Sequence, residues 1–434
     1  MAKRHVIVGG GTAGVNAILT IRERDRGESE ITLVSAERPY SRMVLPYYLG
    51  RSIAESHVFT LPPPRLAQLR VKTHVGRRAA KLDTGGNRLI LDDGATLDYD
   101  DLLIATGSSP VRAPVPGADL PGVHTFWTLE QARAVVSRVR EGAHVVMVGA
   151  GFIAFTILNA LLGLKARLTV VEIAPQILPR MLDRPGAELV ERWLGRHGVA
   201  VRTGATLAGI EAESGRQRLR FRAGEDLAAD VVIMATGIRT NLEWLKDSGV
   251  RVNRGVLVDE HLRSNVPNVF AAGDVAESRD LVTGLPALHA IEPTAMEHGR
   301  VAGANMAGEN VAYRGSLLMN IVEVCHLDIA SFGAWDDPAA DACVALQPER
   351  WAYRKLLWRG NRLTGALILG KADDIWTTND VGMLKGLVQS GADLGEWKAH
   401  LRRNPFDVKP AFIASGTTAR LLPETVLGRP SVPA

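Results

Sequence analysis

Cysteine is almost missing from this 434-residue sequence, which holds only Cys325 and Cys343. Two thiols exclude a disulfide scaffold, match no zinc spacing, and cannot hold an iron–sulfur cluster without help from another chain. They read as free thiols in a reducing compartment. Long apolar runs are missing too. No window approaches the ~18–20 uninterrupted apolar residues of a spanning helix, so no transmembrane segment is expected. The opening Met1-Ala2-Lys3-Arg4-His5 lacks the apolar stretch of a signal peptide, and a cytoplasmic location is the expectation. Basic runs interleaved with aromatics are absent, which argues against a nucleic-acid partner. No metal site is expected either, and Asp373-Asp374 reads as a solvated turn.

What remains is ordinary globular composition, 46% hydrophobic and 23% charged, with a net charge of +4. The length suggests two to three domains. An internal repeat then organises the chain. His5-Val6-Ile7-Val8 leads into Gly9-Gly10-Gly11-Thr12-Ala13-Gly14, and His144-Val145-Val146-Met147-Val148 leads into Gly149-Ala150-Gly151-Phe152-Ile153-Ala154. Each copy reads as strand, tight turn and helix. Each then runs into a second strand, Ile31–Val34 or Leu168–Val171, giving two βαβ units. Leu89–Leu91 and Leu102–Ala105 read as strands, and Ser108–Gly122 as a Pro/Gly-rich linker. From about Ser316 the texture changes to that of a separate α+β domain, with Cys325 and His326 placed in a strand.

The glycines have a chemical reading. In Gly9-x-Gly11-x-x-Gly14 the first glycine permits the turn and the second lets backbone approach a pyrophosphate. The third allows helix to pack closely on strand, while the helix N-terminus supplies amide donors and a positive dipole end. An acid beyond the second strand would hold a ribose, and Glu37 lies 23 residues past Gly14. In the second copy Ala154 takes the third glycine's place, a difference of one methyl. Glu172 ends the following strand, where a carboxylate accepts from a free 2′-hydroxyl and repels a 2′-phosphate. NADH is therefore favoured over NADPH.

Further motifs follow in order: Ala105-Thr106-Gly107 after a strand, Ala235-Thr236-Gly237 after another, Gly273-Asp274 closing Val269–Ala272, and Glu292-Pro293-Thr294 opening a helix. With the two glycine loops, this set resembles the two-dinucleotide-binding-domain flavoproteins, the pyridine nucleotide-disulfide oxidoreductase superfamily. The likeness is strong over about residues 4–315 and loose beyond. It implies an α/β fold of two Rossmann-like domains, for FAD and for NAD, plus a C-terminal α+β interface domain. The implied boundaries are 1–113 and 242–315 for the two parts of the FAD-binding domain, 114–241 for the NAD(P)-binding domain, and 316–434 for the last. FAD would be held by Gly9, Gly11, Thr12, Ala13, Gly14, Glu37, Arg42, Ala79, Ala105, Thr106, Gly107, Gly273, Asp274 and Thr294. The nicotinamide coenzyme would be held by Gly149, Gly151, Phe152, Ile153, Ala154, Glu172 and Gly237.

The stretch Tyr40–Leu49 overlays the family segment that carries a redox cysteine, and Met43 stands in that place. Methionine forms no thiolate or disulfide, so thiol chemistry is excluded there. Tyr40, Arg42 and Leu45 instead resemble rubredoxin-reductase-like and nitrite-reductase-like members. Thr156 falls where many relatives carry a glutamate near the nicotinamide, which puts coenzyme positioning in question. The expected activity passes hydride from NADH to FAD and electrons to a separate acceptor, an iron–sulfur or rubredoxin-type protein or a small molecule, with no catalytic side chain. A membrane-associated NADH:quinone reductase and a flavin-binding assembly subunit with little turnover are the alternatives. The prolines at 405, 410, 423, 430 and 433 argue against an anchor helix in the tail. His289, His298 and His326 read as structural. Ser331-Phe332-Gly333, Trp358 and Trp376 read as a subunit contact or docking surface, with a homodimer or a larger electron-transfer assembly expected.

Overall fold

The computed structural model describes residues 2–421. The prolines at 423, 430 and 433 and the Trp376 side chain lie outside that description. The two repeats build two parallel five-stranded sheets of the same plan. In the first, the spatial order is Val269–Ala271, Asp101–Ile104, Arg4–Val8, Glu30–Ser35 and Val71–Val75. In the second it is Ala200–Arg202, Arg167–Val171, His144–Val148, Val231–Met234 and Val123–Thr125. Asp101–Ile104 and Val231–Met234 are buried along their whole length. Parallel strands covered on both faces by helices need such unbroken apolar runs.

The strand Val269–Ala271 returns to the first sheet after the chain has completed the second. Two chain passes therefore cross between the units. The stretch expected as a linker begins as a strand, Ser108–Pro110, which pairs antiparallel with Ile238–Thr240. Pairing the two passes satisfies backbone groups that a single buried linker would leave open.

The C-terminal unit is an antiparallel five-stranded sheet, ordered Met319–Val324, Leu327–Gly333, Arg362–Lys371, Ala352–Arg359 and Asp341–Gln347. One face (Leu327, Ile329, Tyr353, Leu367) joins a core with Ile157, Leu161 and Trp193 of the second unit. The other (Ala330, Phe332, Leu356, Trp358) lies under Leu384 and Leu387 of the helix Ile375–Ser390. Ser331, Phe332 and Trp358 are fully buried, so they form core and not the docking surface expected of them.

Cys325 and His326 are also not strand residues. They form the two-residue turn between Met319–Val324 and Leu327–Gly333, at φ 49° and 62°. Hairpin twist demands left-handed residues here, and asparagine–glycine would supply them without strain. The second unit holds the turn: Cys325 N donates to Asn159 Oδ1 (2.8 Å), and Trp193 Nε1 donates to Cys325 O (3.1 Å). The His326 side chain is 89% exposed. His326→Gly should relieve roughly 1 kcal/mol of left-handed strain. After allowance for glycine's larger unfolded entropy, a rise in melting temperature of about 1 °C is expected by calorimetry.

Candidate functional site

Backbone geometry makes Gly9 and Gly14 obligatory. Gly9 has φ 121°, and a Cβ there would lie 2.1 Å from Ala105 O. A Cβ on Gly14 would lie 1.9 Å from Gly9 O. Gly11 differs, because a Cβ there meets nothing within 4 Å. Space lies open in front of the helix Thr12–Asp25, whose first turn carries no acid and whose N-cap makes no side-chain bond. Unpaired amides facing open space fit a pyrophosphate.

The second loop repeats this. Gly149 has φ 100°, and a Cβ there would lie 2.4 Å from Ala235 O, whereas a Cβ on Gly151 meets nothing within 4 Å. The helix Phe152–Gly163 likewise starts without a side-chain cap or an acid. Both loops thus fit dinucleotides on the same grounds. Phe152 and Ile153 are half-buried in its first turn, and Ala154 is buried.

The acids differ between copies. Glu172 directly follows its strand and is buried. Its Oε2 accepts from Ala150 N (2.6 Å) and its Oε1 from Ala174 N (2.8 Å). Together these bonds brace the glycine loop against the end of the strand. By register, its counterpart in the first unit is Ser35, since Val8 pairs with Val34 as Val148 does with Val171. Ser35 Oγ accepts from Gly10 N (3.1 Å). Glu37 lies two residues on, accepting from Tyr40 OH (2.8 Å), with Arg42 Nη1 3.7 Å away.

The remaining motifs converge on the first loop. A Cβ on Gly273 would lie 3.1 Å from that of Ala13 and 3.5 Å from that of Ala295, so the Gly273–Asp274 turn meets both helices. Thr294 is buried in the first turn of the helix Glu292–Met306. Asp274 Oδ2 accepts from Ser108 Oγ at 2.6 Å, and burial pushes its carboxyl upward against that bond and Arg42. Ala105 N donates to Val8 O. Thr106 Oγ1 donates to Asn241 O (3.1 Å), Asn241 Nδ2 donates to Thr106 O (2.8 Å), and Asn241 N donates to Gly107 O. Asn241 thus ties the two crossovers, a role that nothing in its sequence surroundings announces. Gly237, at φ 119°, lies where the second crossover leaves its sheet. Ala79 opens a strand of a separate small sheet and packs against the cluster containing Val6, Val8 and Ile104.

The histidines of this region are structural. Gly273 N donates to His298 Nδ1 (3.3 Å), which puts the ring proton on Nε2, facing Ser278 Oγ at 3.2 Å. Burial pushes His298 down to about 3, so it is neutral. His289 bonds Ser316 Oγ (2.7 Å) and lies 3.3 Å from Asp280. On the other side Glu292 Oε1 accepts from Thr12 Oγ1 (3.0 Å) and from Ser41 Oγ, joining the glycine loop to the Tyr40–Leu49 stretch. Met43 is 43% exposed there. Thr156 donates its hydroxyl to Ile153 O (2.7 Å).

Among the described residues no helix is long and apolar enough to cross a membrane, and no grouping of His, Cys, Asp and Glu forms a metal site. Comparison with known proteins agrees with the fold. The family described as pyridine nucleotide-disulphide oxidoreductase matches residues 3–305. The nitrite reductase [NAD(P)H] of Bacillus subtilis (strain 168) is 28% identical over 91% of this chain, which spans only 48% of that protein. The NADH-dependent phenylglyoxylate dehydrogenase subunit epsilon of Aromatoleum evansii is 30% identical over 93% of this chain and 96% of its own length. The solved NAD-dependent persulfide reductase from A. fulgidus superposes with a TM-score of 0.84 at 29% identity, covering 91% of this chain and 78% of that one.

Proposed function

The chain belongs to the pyridine nucleotide-disulphide oxidoreductase family and binds FAD and NAD(H) as an oxidoreductase of that family; from that premise we propose that it takes hydride from NADH and delivers the two electrons to a separate acceptor, an iron–sulfur or rubredoxin-type protein, one electron to each copy, or a small molecule. NADH becomes NAD⁺, the electrons leave to the acceptor, and the proton is released to solvent. Bound FAD would supply the two-electron relay between coenzyme and acceptor. The chain's own contribution is placement: Gly11 and Gly151 leave room for two pyrophosphates, helix amides face both, and Asp274 with Thr294 borders the first site.

Met43 carries this reading. With methionine in the redox cysteine's place, the electrons have no thiol relay beside the flavin site. Neither cysteine supplies one elsewhere. Burial pushes the Cys325 thiol up to about 11, and burial raises Cys343 as well. Iodoacetamide at about pH 7.5 should therefore leave NADH-driven reduction unchanged, because the thiolate is the reactive form.

Anaerobic mixing tests the proposal. NADH should bleach the flavin absorbance within seconds, and oxidised rubredoxin or a small ferredoxin should restore it. A spectrum that neither NADH nor NADPH alters would end the reading. A second assignment, the NADH-facing subunit of a larger assembly, draws support from the near full-length match to the epsilon subunit. Co-purification of fixed partner subunits from the native host would favour it over a free-standing reductase.

A further inference from the structure

Among the contacts that the second unit makes with the first site is a side chain that no motif marks. Trp127 follows the edge strand Val123–Thr125 of the second sheet, and its backbone is held by a capping box. Gln131 Oε1 accepts from Trp127 N (2.9 Å) and from Thr128 N (3.2 Å). From this fixed base the indole reaches outward, and Nε1 donates to Ser108 O at 2.7 Å. Ser108 in turn donates its hydroxyl to Asp274 at 2.6 Å. On the other side, the Trp127 carbonyl accepts from Arg42 Nη1 (2.7 Å), and the Arg42 guanidinium lies 5.5 Å from the indole and 5.8 Å from the Tyr40 ring. Tyr40 OH then accepts from Leu129 N (2.9 Å).

We propose that Trp127 is a positioning residue for hydride transfer: rooted in the coenzyme unit, it fixes that unit against Ser108–Asp274 on one flank of the flavin site and against Arg42 on the other. This rests on the reading that NADH reduces bound FAD. The two units also share an antiparallel ribbon and an apolar core in which Leu45, Leu49 and Val58 pack with Leu129, Val135 and Phe155, but that core lies on the Tyr40–Val58 side and leaves the Ser108–Asp274 flank to be held by polar contacts. Transfer between two held rings is sensitive to displacement, and a shift of ~1 Å can cost as much as a hundredfold in rate. Trp127 sets that separation without touching either reacting group.

Trp127→Phe keeps a ring under Arg42 and removes the donor to Ser108. Ser108→Ala keeps the carbonyl acceptor and removes the bond to Asp274. In anaerobic rapid mixing over a range of NADH, each variant should lower the limiting rate of flavin bleaching about tenfold. The NADH dissociation constant should stay within about twofold. The double variant should be no slower than either single one, because both cut the same path. Hydrogen exchange of the FAD-loaded protein, measured without coenzyme, should quicken over residues 104–111 and 270–276. Wild-type bleaching rates in Trp127→Phe, or multiplied losses in the double variant, would overturn the proposal. Unchanged exchange in those two segments would do the same, and this readout stands even where NADH fails to bleach the wild type, a result that sinks the proposed function instead.

Discussion

Gly11→Ala should yield a protein that folds and melts like its parent but binds FAD about a hundredfold more weakly. A Cβ at position 11 meets nothing within 4 Å, and the backbone there, φ −78° and ψ −173°, is extended and open to any residue. Folding should not register the methyl. The open space in front of the helix amides does register it, because that is where a pyrophosphate must approach. Losing two charge-assisted bonds at ~1.5 kcal/mol each gives ~3 kcal/mol, or two decades in affinity. Gly151→Ala should do the same to NADH while the protein stays yellow, since its cap at φ −85° and ψ −179° is equally tolerant. Gly9→Ala should fail differently: with φ 121° and Ala105 O 2.1 Å away, the fold itself is damaged. Equilibrium titration of the apoprotein with FAD, beside its melting curve, separates these cases. A Gly11→Ala protein that binds FAD like the parent would remove the pyrophosphate from that loop.

The contrast between Gly9 and Gly11 shows what was legible in the sequence. Both loops are local. Strand, turn and the start of the helix follow one another directly, and the glycine spacing is visible even though the atom that forces Gly9, Ala105 O, comes from a distant strand. Glu172 was legible for the same reason, being the residue that directly ends its strand. Glu37 was only half legible, because distance along the chain does not reveal that Ser35 holds the register position and that Glu37 turns toward Tyr40 and Arg42. What stayed hidden is long-range. Ser108 and Asp274 meet across 166 positions, and Thr106 and Asn241 across 135. Neither pair has a spacing that periodicity could detect. The Cys325–His326 turn escaped because neither residue favours left-handed backbone; contacts from Asn159 and Trp193 impose it. Trp358 misled because an amphipathic surrounding does not say that a distant helix will cover its apolar face.

Asp380→Ala should destabilise the C-terminal unit by about 3–5 kcal/mol, while Arg354→Met should cost less and cost least in acid. The two side chains form a pair inside the sheet–helix core, 1% and 5% exposed, with Arg354 Nη2 donating to Asp380 Oδ2 at 2.8 Å. Arg354 Nε and Nη1 find no partner among the described residues, and the guanidinium lies 5.2 Å from the Phe406 ring. Burial works against both charges, lowering the arginine and raising Asp380 to about 6 despite the attraction between them. The partners are unequal in what they can do when left alone. An arginine stays charged at any ordinary pH, so Asp380→Ala strands a buried cation. An aspartate can take up a proton, so Arg354→Met leaves a neutral acid. Because its folded-state value is raised, Asp380 contributes stability that is present below the ordinary carboxylate range near ~4 and lost as pH rises through about 6. Removing Arg354 takes away the attraction that holds the value down, so the Arg354→Met protein should lose stability more steeply with rising pH than the parent. Thermal unfolding of both variants at about pH 5 and about pH 8 reads this directly. Equal losses for the two variants at both pH values would mean that solvent reaches the pair and that burial does not govern it.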